Sequence, residues 1–329
     1  MTSWPLLEFV VSGETADIYF VRAVEVLRAE GLNPLATMEV FPSQGGILCG
    51  IEEAVALLRR VLPEGSQVWA VPEGEGMEHK EVVLRITAPY QSYGIYETSY
   101  LGMLAHMSGW ATAAREIVEA AGEIPVIGFG ARHVHPLVAG RMDYAAIVGG
   151  CAGCSSVEGA RLAGKPPAGT MPHALIICYG DTVAATIAFD RHMPPEVHRI
   201  SLVDTFKDEA EESLRVARAL KERLQGVRLD TPAERGRVTV DLVKEVRARL
   251  DQAGFPYVGI VVSGGLDPER IHMFRDAGAP VTSFGVGHHI SGASPIDFTA
   301  DLHEIEGMPI AKRGRIPGPT PNPRLQRVI

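Results

Sequence analysis

The stretch Gly149–Leu175, GGCAGCSSVEGARLAGKPPAGTMPHAL, decides how the rest of the chain is read. An apolar run, Tyr144–Val148, precedes it and reads as a buried strand emptying into the glycine and serine turn Gly149–Ser156. A short helical pattern then runs through Leu162. A strand that feeds a small-residue turn and a helix N-terminus is a ready anion site. After Gly164, Pro166 and Pro167 comes Gly169-Thr170-Met171-Pro172-His173, directly ahead of a second apolar run, Ala174–Cys178, also read as a strand. His173 is thereby expected beside a strand end, close to the anion turn. Either piece alone could be an ordinary glycine-rich crossover; the number of similar junctions downstream sets the reading.

From Ile124 onward strand and helix alternate. The candidate strands are Pro125–Phe129, Ala145–Gly149, Ala174–Cys178, Ile200–Val203, Gly226–Leu229, Gly259–Val262 and Val281–Gly285. Amphipathic stretches such as Glu209–Leu224 and Val240–Ala253 separate them, which means a parallel sheet with crossover helices. A set of about seven such strands suits an incomplete TIM-like α/β barrel, whose active site collects at the carboxyl ends of its strands. Those ends carry Arg132 and His133, the Gly149–Ser156 turn, Asp204-Thr205, Arg228 and Asp230 in GVRLDTP, Ser263-Gly264-Gly265, and Gly285-Val286-Gly287-His288-His289. Glycines let backbone amides approach phosphate oxygens. Arginine forks suit carboxylate or phosphate, and Asp204 and Asp230 suit ribose hydroxyls or a water-bridged magnesium ion. The set reads as a site for a phosphorylated sugar.

Ahead of this region, residues 12–30 carry Ile18, Val21, Val24 and Leu27 at helical spacing, with Asp17 and Tyr19 at the exposed helix start. Thr37–Phe41, Gln67–Val71 and Glu81–Ile86 read as strands around a helix at Ile51–Val61, and Tyr96–Ala121 reads as one long helix apolar on most faces. The chain thus divides into an N-terminal α+β domain (1–120), a barrel domain (121–292) and a C-terminal tail (293–329).

Composition removes several classes of function. The 329 residues carry a formal net charge of -9 with both signs interspersed, so no basic field exists for nucleic acid. No apolar run approaches the about 18 residues of a membrane span. The opening MTSWPLLEFVV lacks a signal peptide's basic start, which gives a cytoplasmic expectation. Cys49, Cys151, Cys154 and Cys178 do not form a disulfide framework. Cys151-Ala-Gly-Cys154 lacks a second ligand pair for zinc, as do His133-Val-His135 and His288-His289. No Rossmann fingerprint and no P-loop occur.

On these residues the chain resembles the nicotinate phosphoribosyltransferase family, in particular its short archaeal-type branch. The resemblance runs from Thr15-Ala16-Asp17-Ile18-Tyr19-Phe20 through Thr87-Ala88-Pro89-Tyr90, Tyr96-Glu97-Thr98-Ser99, Phe129-Gly130-Ala131-Arg132, GTMPHAL, LVDTF, VRLDTP, SGGLD and FGVG to Lys312-Arg313-Gly314. It implies a type II phosphoribosyltransferase fold: an N-terminal α+β domain, rejoined by the C-terminal tail, with an incomplete α/β barrel. It also implies a homodimer or higher oligomer with shared active sites, and transfer of phosphoribose from phosphoribosyl pyrophosphate to nicotinate.

By position, the resemblance implies that Phe129 stacks on the pyridine ring and that a partner subunit's Tyr19 covers the other face. Arg132 and Arg228 bind the charged substrate groups and Ser155 contacts the base. Asp230 holds the ribose, with Asp204 beside it. Ser263, Gly264 and Gly265, with Gly285 and Gly287, hold the 5-phosphate. His173 falls on the histidine that ATP-coupled relatives phosphorylate. Magnesium is expected with phosphoribosyl pyrophosphate, and ATP is left open as a co-substrate. There are departures: FGARH puts His133 where the family has a second arginine, Ala152 replaces an aspartate, and His288 replaces a smaller residue. Quinolinate or another pyridine base, or a non-catalytic phosphosugar sensor, therefore stays as an alternative. The chain ends without the cysteine-rich module of some relatives, so no structural metal is expected.

Overall fold

The structure is a computed structural model describing residues 4–329. It forms two compact units, one made of the chain up to Thr112 together with Ala293–Ile329, the other of Ala113–Gly292.

The first unit begins with α1 (Glu8–Val11) and α2 (Ile18–Ala29) and continues through β1 (Leu35–Pro42), β2 (Gly46–Ile47), α3 (Ile51–Val61), β3 (Gln67–Ala70), β4 (Gly76–Met77) and β5 (Leu84–Pro89) to α4 (Glu97–Ala121), within which the chain passes into the second unit. β1 is buried at every position after Leu35, because strands cover it on both edges and its LATMEVFP sequence offers apolar side chains to both faces. It pairs antiparallel with β5 from Leu35 opposite Pro89 to Val40 opposite Leu84. α3 has the amphipathic spacing read from the sequence: Ile51, Ala54, Val55, Leu57 and Leu58 are buried and Arg59 and Arg60 are exposed. Gly50 caps its start at φ 97°, where a Cβ would meet the Met103 carbonyl oxygen at 2.8 Å. Only glycine fits there.

The second unit is built on a six-stranded, all-parallel sheet. In chain order it contains β6 (Val126–Gly128), α5 (Pro136–Val148), β7 (Gly153–Cys154), α6 (Val157–Leu162), α7 (His173–Tyr179), α8 (Thr182–His192), β8 (Ile200–Leu202), α9 (Glu209–Leu220), β9 (Gly226–Leu229), α10 (Val240–Gln252), β10 (Gly259–Ser263), α11 (Pro268–Asp276), β11 (Ser283–Val286) and α12 (His288–Ser291). The strand order β7-β6-β11-β10-β9-β8 leaves two edges. The sheet is thus the incomplete, barrel-like arrangement that the alternating pattern implied.

Two expected strands are helices instead. Tyr144–Val148 is the end of α5, and Ala174–Cys178 lies inside α7. Every residue of α5 from Gly140 to Ala146 is buried. A helix enclosed on all sides gives the same unbroken apolar run as a buried strand, so periodicity could not separate them. His135 and Pro136 start α5, with the His135 side chain accepting from the Leu137 amide at 3.2 Å. α7 is closed by Gly180 in the left-handed conformation at φ 73°. The strand that completes this edge, β7, is hidden in the GCAGC turn and pairs Ile127 with Gly153 and Gly128 with Cys154. Three further strands start later than read, Leu84 rather than Glu81, Val126 rather than Pro125 and Ser283 rather than Val281.

The C-terminal residues return to the first unit as β12 (Phe298–Ile305), β13 (Met308–Pro309) and β14 (Gln326–Arg327). β12 runs antiparallel to β1 from Phe298 opposite Pro42 to Ile305 opposite Ala36, and β14 pairs with β3. The six-stranded sheet β13-β12-β1-β5-β3-β14 therefore takes half its strands from each end of the chain. Its core packs Met38, Val40, Leu57, Leu58, Ile86, Leu104 and Phe298. No helix among the described residues is long and apolar enough to cross a membrane.

Candidate active site

The strands of the second unit end on a cavity of about 570 Å³. Phe129, Arg132, Ser155, His173, Arg228, Asp230, Ser263, Gly264, Gly265, Gly285 and Gly287 all line it. They come from five strand ends, which the parallel register brings together, and from the start of α7.

Phe129 follows β6, and its amide donates to the Val286 carbonyl at 2.7 Å. The ring lies against Gly285, where a Cβ would collide with its edge, so that glycine makes room for the aromatic. From β9 the Arg228 guanidinium reaches to 5.9 Å from the Phe129 ring centroid. Its Nη1 donates to Thr170 Oγ1 at 2.7 Å, Nη2 stands 4.0 Å from Asp230 Oδ2, and Nε has no partner. Burial pulls the Arg228 guanidinium below its usual range, with Asp230 and Asp204 opposing the shift. A buried fork with an unused nitrogen is set to receive an anion.

The adjoining region is shaped for a phosphosugar. Asp230, which lines the cavity, accepts from Ser263 Oγ through Oδ1 at 2.8 Å, and its Oδ2 stands 4.0 Å from Arg228 Nη2. Gly264 and Gly265 follow at φ 91° and 63°. Among the described residues, the amides of Gly264, Gly265 and Gly287 donate to no acceptor. Unspent amides in a left-handed turn form an anion-binding nest.

The first glycine turn behaves differently, and its reading as an anion site is corrected. Its Cys151 amide donates to Ala146 O at 3.0 Å, Ala152 to Val126 O at 2.8 Å, Ser155 to Gly128 O at 3.0 Å, and Ser156 to Asp143 Oδ2 at 2.7 Å. Ser156 Oγ caps α6 by accepting from Gly159. These donors are consumed in building β7 and the start of α6, and Ser155 alone of the turn's serines reaches the cavity. Cys151 and Cys154 are buried free thiols, and burial, reinforced by Asp143, pushes both up to about 12. Neither is a thiolate at neutral pH.

His173 opens α7 rather than preceding a strand, and Pro172 before it still fixes the backbone. Its Nε2 lies 3.2 Å from Asp204 Oδ2. The Asp204 side chain is 1% exposed and does not line the cavity. It therefore stands behind His173 and orients it. Burial raises the Asp204 carboxyl from its ordinary value while the contact with His173 opposes the rise. Tyr19 belongs to the first unit, at the first turn of α2, 59% exposed with its ring centroid 4.2 Å from that of Phe20.

The departures at His133 and His288 meet in the same cavity. Their rings contact edge to face at 5.7 Å, and His133 Nδ1 lies 3.1 Å from Ser291 Oγ. Partial burial, then Arg132 and His288, lower the His133 imidazole below its usual value. At neutral pH it is an uncharged polar group. Thr170 also lines the cavity; its motif GTMPHAL was visible in the sequence, but nothing there tied its hydroxyl to Arg228, 58 residues away.

A parallel sheet ending on such a cavity, with an antiparallel unit made from both chain termini, defines the type II phosphoribosyltransferase class of fold. Family models described as quinolinate phosphoribosyl transferase match residues 17–108 (N-terminal domain) and 110–301 (C-terminal domain). A crystal structure named nicotinate-nucleotide pyrophosphorylase from Pyrococcus furiosus is 43% identical, with a TM-score of 0.87 over 97% of this chain and 82% of that one. The curated nicotinate phosphoribosyltransferase pncB2 of Mycobacterium tuberculosis is 35% identical over 73% of this chain and 52% of its own length. The human nicotinic acid phosphoribosyltransferase structure is 21% identical at a TM-score of 0.75, covering 92% of this chain and 77% of its own, and shares the fold. The chain belongs to the phosphoribosyltransferase family that these nicotinate and quinolinate enzymes make up. It spans about half the length of the curated relatives it matches.

Proposed function

We propose that the protein transfers phosphoribose from phosphoribosyl pyrophosphate to nicotinate, giving nicotinate mononucleotide and pyrophosphate. The observation that carries this reading is the pairing, in one cavity, of the Phe129 ring with the Arg228 fork at 5.9 Å. A pyridine ring lying on Phe129 would present its carboxylate to Arg228. Asp230 Oδ2 takes the ribose hydroxyls, and the free amides of Gly264, Gly265 and Gly287 take the 5-phosphate. The ring nitrogen then attacks C1 of the ribose as the C1–oxygen bond to pyrophosphate breaks, with both electrons leaving on pyrophosphate. No proton needs to move, so the residues contribute positioning and electrostatics.

Magnesium fits this site, because Asp230 Oδ2 is a hard oxygen donor left free by Ser263. Bound with the pyrophosphate, the cation would offset the charge of the leaving group. His173 serves ATP coupling in this proposal: Nε2–H donates to Asp204, and Nδ1 keeps the lone pair that attacks a γ-phosphate. The 43% identity to the Pyrococcus furiosus structure supports placement in the archaeal-type branch.

Quinolinate is the second reading, favoured by the description of the family models. Its additional carboxylate needs a further cation, whereas the lowered His133 leaves Arg132 and Arg228 to meet the base. Calorimetric titration with nicotinate and with quinolinate, each in the presence of a non-reactive phosphoribosyl pyrophosphate analogue, tests the choice. Nicotinate is expected to bind the more tightly, and tighter binding of quinolinate would reverse the assignment.

A homodimer with shared sites belongs to the same proposal, supported by the exposed Tyr19 ring. After confirmed subunit exchange, a mixture of inactive Tyr19→Ala and inactive Asp230→Ala proteins should recover activity, since one mixed site would hold both native residues. An inactive mixture would count against sharing.

A further inference from the structure

Arg237 stands in a conformation that an arginine rarely adopts. It lies on the loop after β9 at φ 64°, the left-handed region, directly after Gly236 at φ 87°. Non-glycine residues held there store strain and persist only where their surroundings over-determine them. The surroundings do so. Buried Glu209, at the start of α9, accepts from Thr231 Oγ1 at 2.7 Å and lies 3.8 Å from Arg235 Nη2. The Arg237 amide donates to Pro232 O at 3.1 Å, and Arg270 Nη2 donates to the next carbonyl, that of Val238, at 3.0 Å.

The side chain that this loop presents makes no hydrogen bond or ion pair among the described residues, whereas its neighbours Arg235 and Arg270 are both engaged. Its guanidinium rests on the backbone of Gly265, so that a Cβ at that glycine would fall on the Arg237 nitrogen. Gly265 lines the cavity and carries one of the free amides. A phosphate monoester carries about −1.5 to −2 charge at neutral pH, and the Ser263–Gly265 turn offers it neutral donors only.

We propose that Arg237 supplies the cation for the terminal phosphate of the phosphosugar, a specificity residue that acts together with the Gly264 and Gly265 amides and selects 5-phosphorylated ribose over ribose. The assignment rests on the phosphosugar reading of the cavity and is independent of which base is used. The backbone strain is what brings the guanidinium to Gly265. From an ordinary φ the side chain would leave the loop in another direction.

Calorimetric titration of ribose 5-phosphate and of ribose into wild type, Arg237→Gly, Arg237→Ala and Arg237→Lys tests this, with thermal midpoints measured alongside. The glycine and alanine variants should weaken ribose 5-phosphate by about 10- to 100-fold, the range of a charge-assisted hydrogen bond. The lysine variant should fall between, and any ribose binding should not change. Arg237→Gly should at the same time keep or raise the thermal midpoint, because glycine relieves the left-handed strain. A purely structural residue would show the opposite pairing, a lowered midpoint with unchanged affinity. Wild-type affinity in the glycine and alanine variants would overturn the role of Arg237. A wild type that binds no ribose 5-phosphate would overturn this proposal and the phosphosugar reading together. A wild type that binds ribose 5-phosphate yet releases no pyrophosphate with any pyridine acid would sink the proposed reaction and leave Arg237 standing.

Discussion

Arg228→Ala is expected to remove nearly all transfer activity while the protein stays folded. The guanidinium is packed beside Phe129, and among the described residues its hydrogen bond goes to Thr170 Oγ1. The native fold therefore loses a hydrogen bond to a loop hydroxyl, a long ion pair with Asp230 and a ring contact with Phe129, all of them at the cavity wall, whereas a bound carboxylate would lose its fork. Truncating one partner of a buried charge pair costs on the order of 2 to 5 kcal/mol, and the loss should appear in kcat/KM with the far-ultraviolet spectrum and thermal midpoint close to wild type. Arg228→Lys should recover little, since an ammonium cannot reproduce a bidentate fork. Unchanged kinetic constants in Arg228→Ala would remove this residue from the site.

The second large effect concerns His173. Incubation with γ-labelled ATP and magnesium should label the wild type in an acid-labile, base-stable form, and His173→Ala should abolish the label altogether. In the step proposed, Nδ1 bonds to the γ-phosphorus as the bond to ADP breaks. Water then takes the phosphoryl group to inorganic phosphate and regenerates the imidazole. Asp204 is buried behind the ring and holds Nε2–H, so Asp204→Asn should slow labelling rather than eliminate it. ATP should also raise the yield of nicotinate mononucleotide at equilibrium. If the wild type takes up no label yet turns over at full rate without ATP, His173 is left with hydrogen bonding to pyrophosphate.

The carboxyl ends of the strands were the most legible part of this chain. Short apolar runs closed by Arg, Asp or Gly marked β6, β8, β9, β10 and β11, and a parallel sheet sends all such ends to one side. Residue types alone therefore placed Arg132, Arg228, Asp230 and the Ser263–Gly265 turn at one site, whereas Phe129 was named for it only by the family resemblance; all of them line the cavity. Short apolar runs inside helices were harder to read, whether enclosed, as in α5, or buried only at Ile176, as in α7. Tyr144–Val148 and Ala174–Cys178 have the composition of buried strands, and only their backbone hydrogen bonding distinguishes α5 and α7.

Glycine turns set a second limit. The turns at Gly149–Ser156 and Ser263–Gly265 look equally suited to anions, yet the first spends its amides on β7 and α6 while the second leaves Gly264 and Gly265 free. Composition says that a backbone can approach a ligand; the fold decides whether its donors are available. Asp204 was readable as a ligand for substrate and turned out to stand behind His173. Arg237 gave no sequence signal, because a left-handed arginine is set by the loop around it.

The most direct measurement of the central claim is pyrophosphate release from phosphoribosyl pyrophosphate and magnesium, run in parallel with nicotinate, with quinolinate and without base, the nucleotide product being identified by mass. Nicotinate should give nicotinate mononucleotide and pyrophosphate in equal amounts, and the other two reactions should be far slower. Release that is fastest with quinolinate, or that proceeds equally without a base, would contradict it.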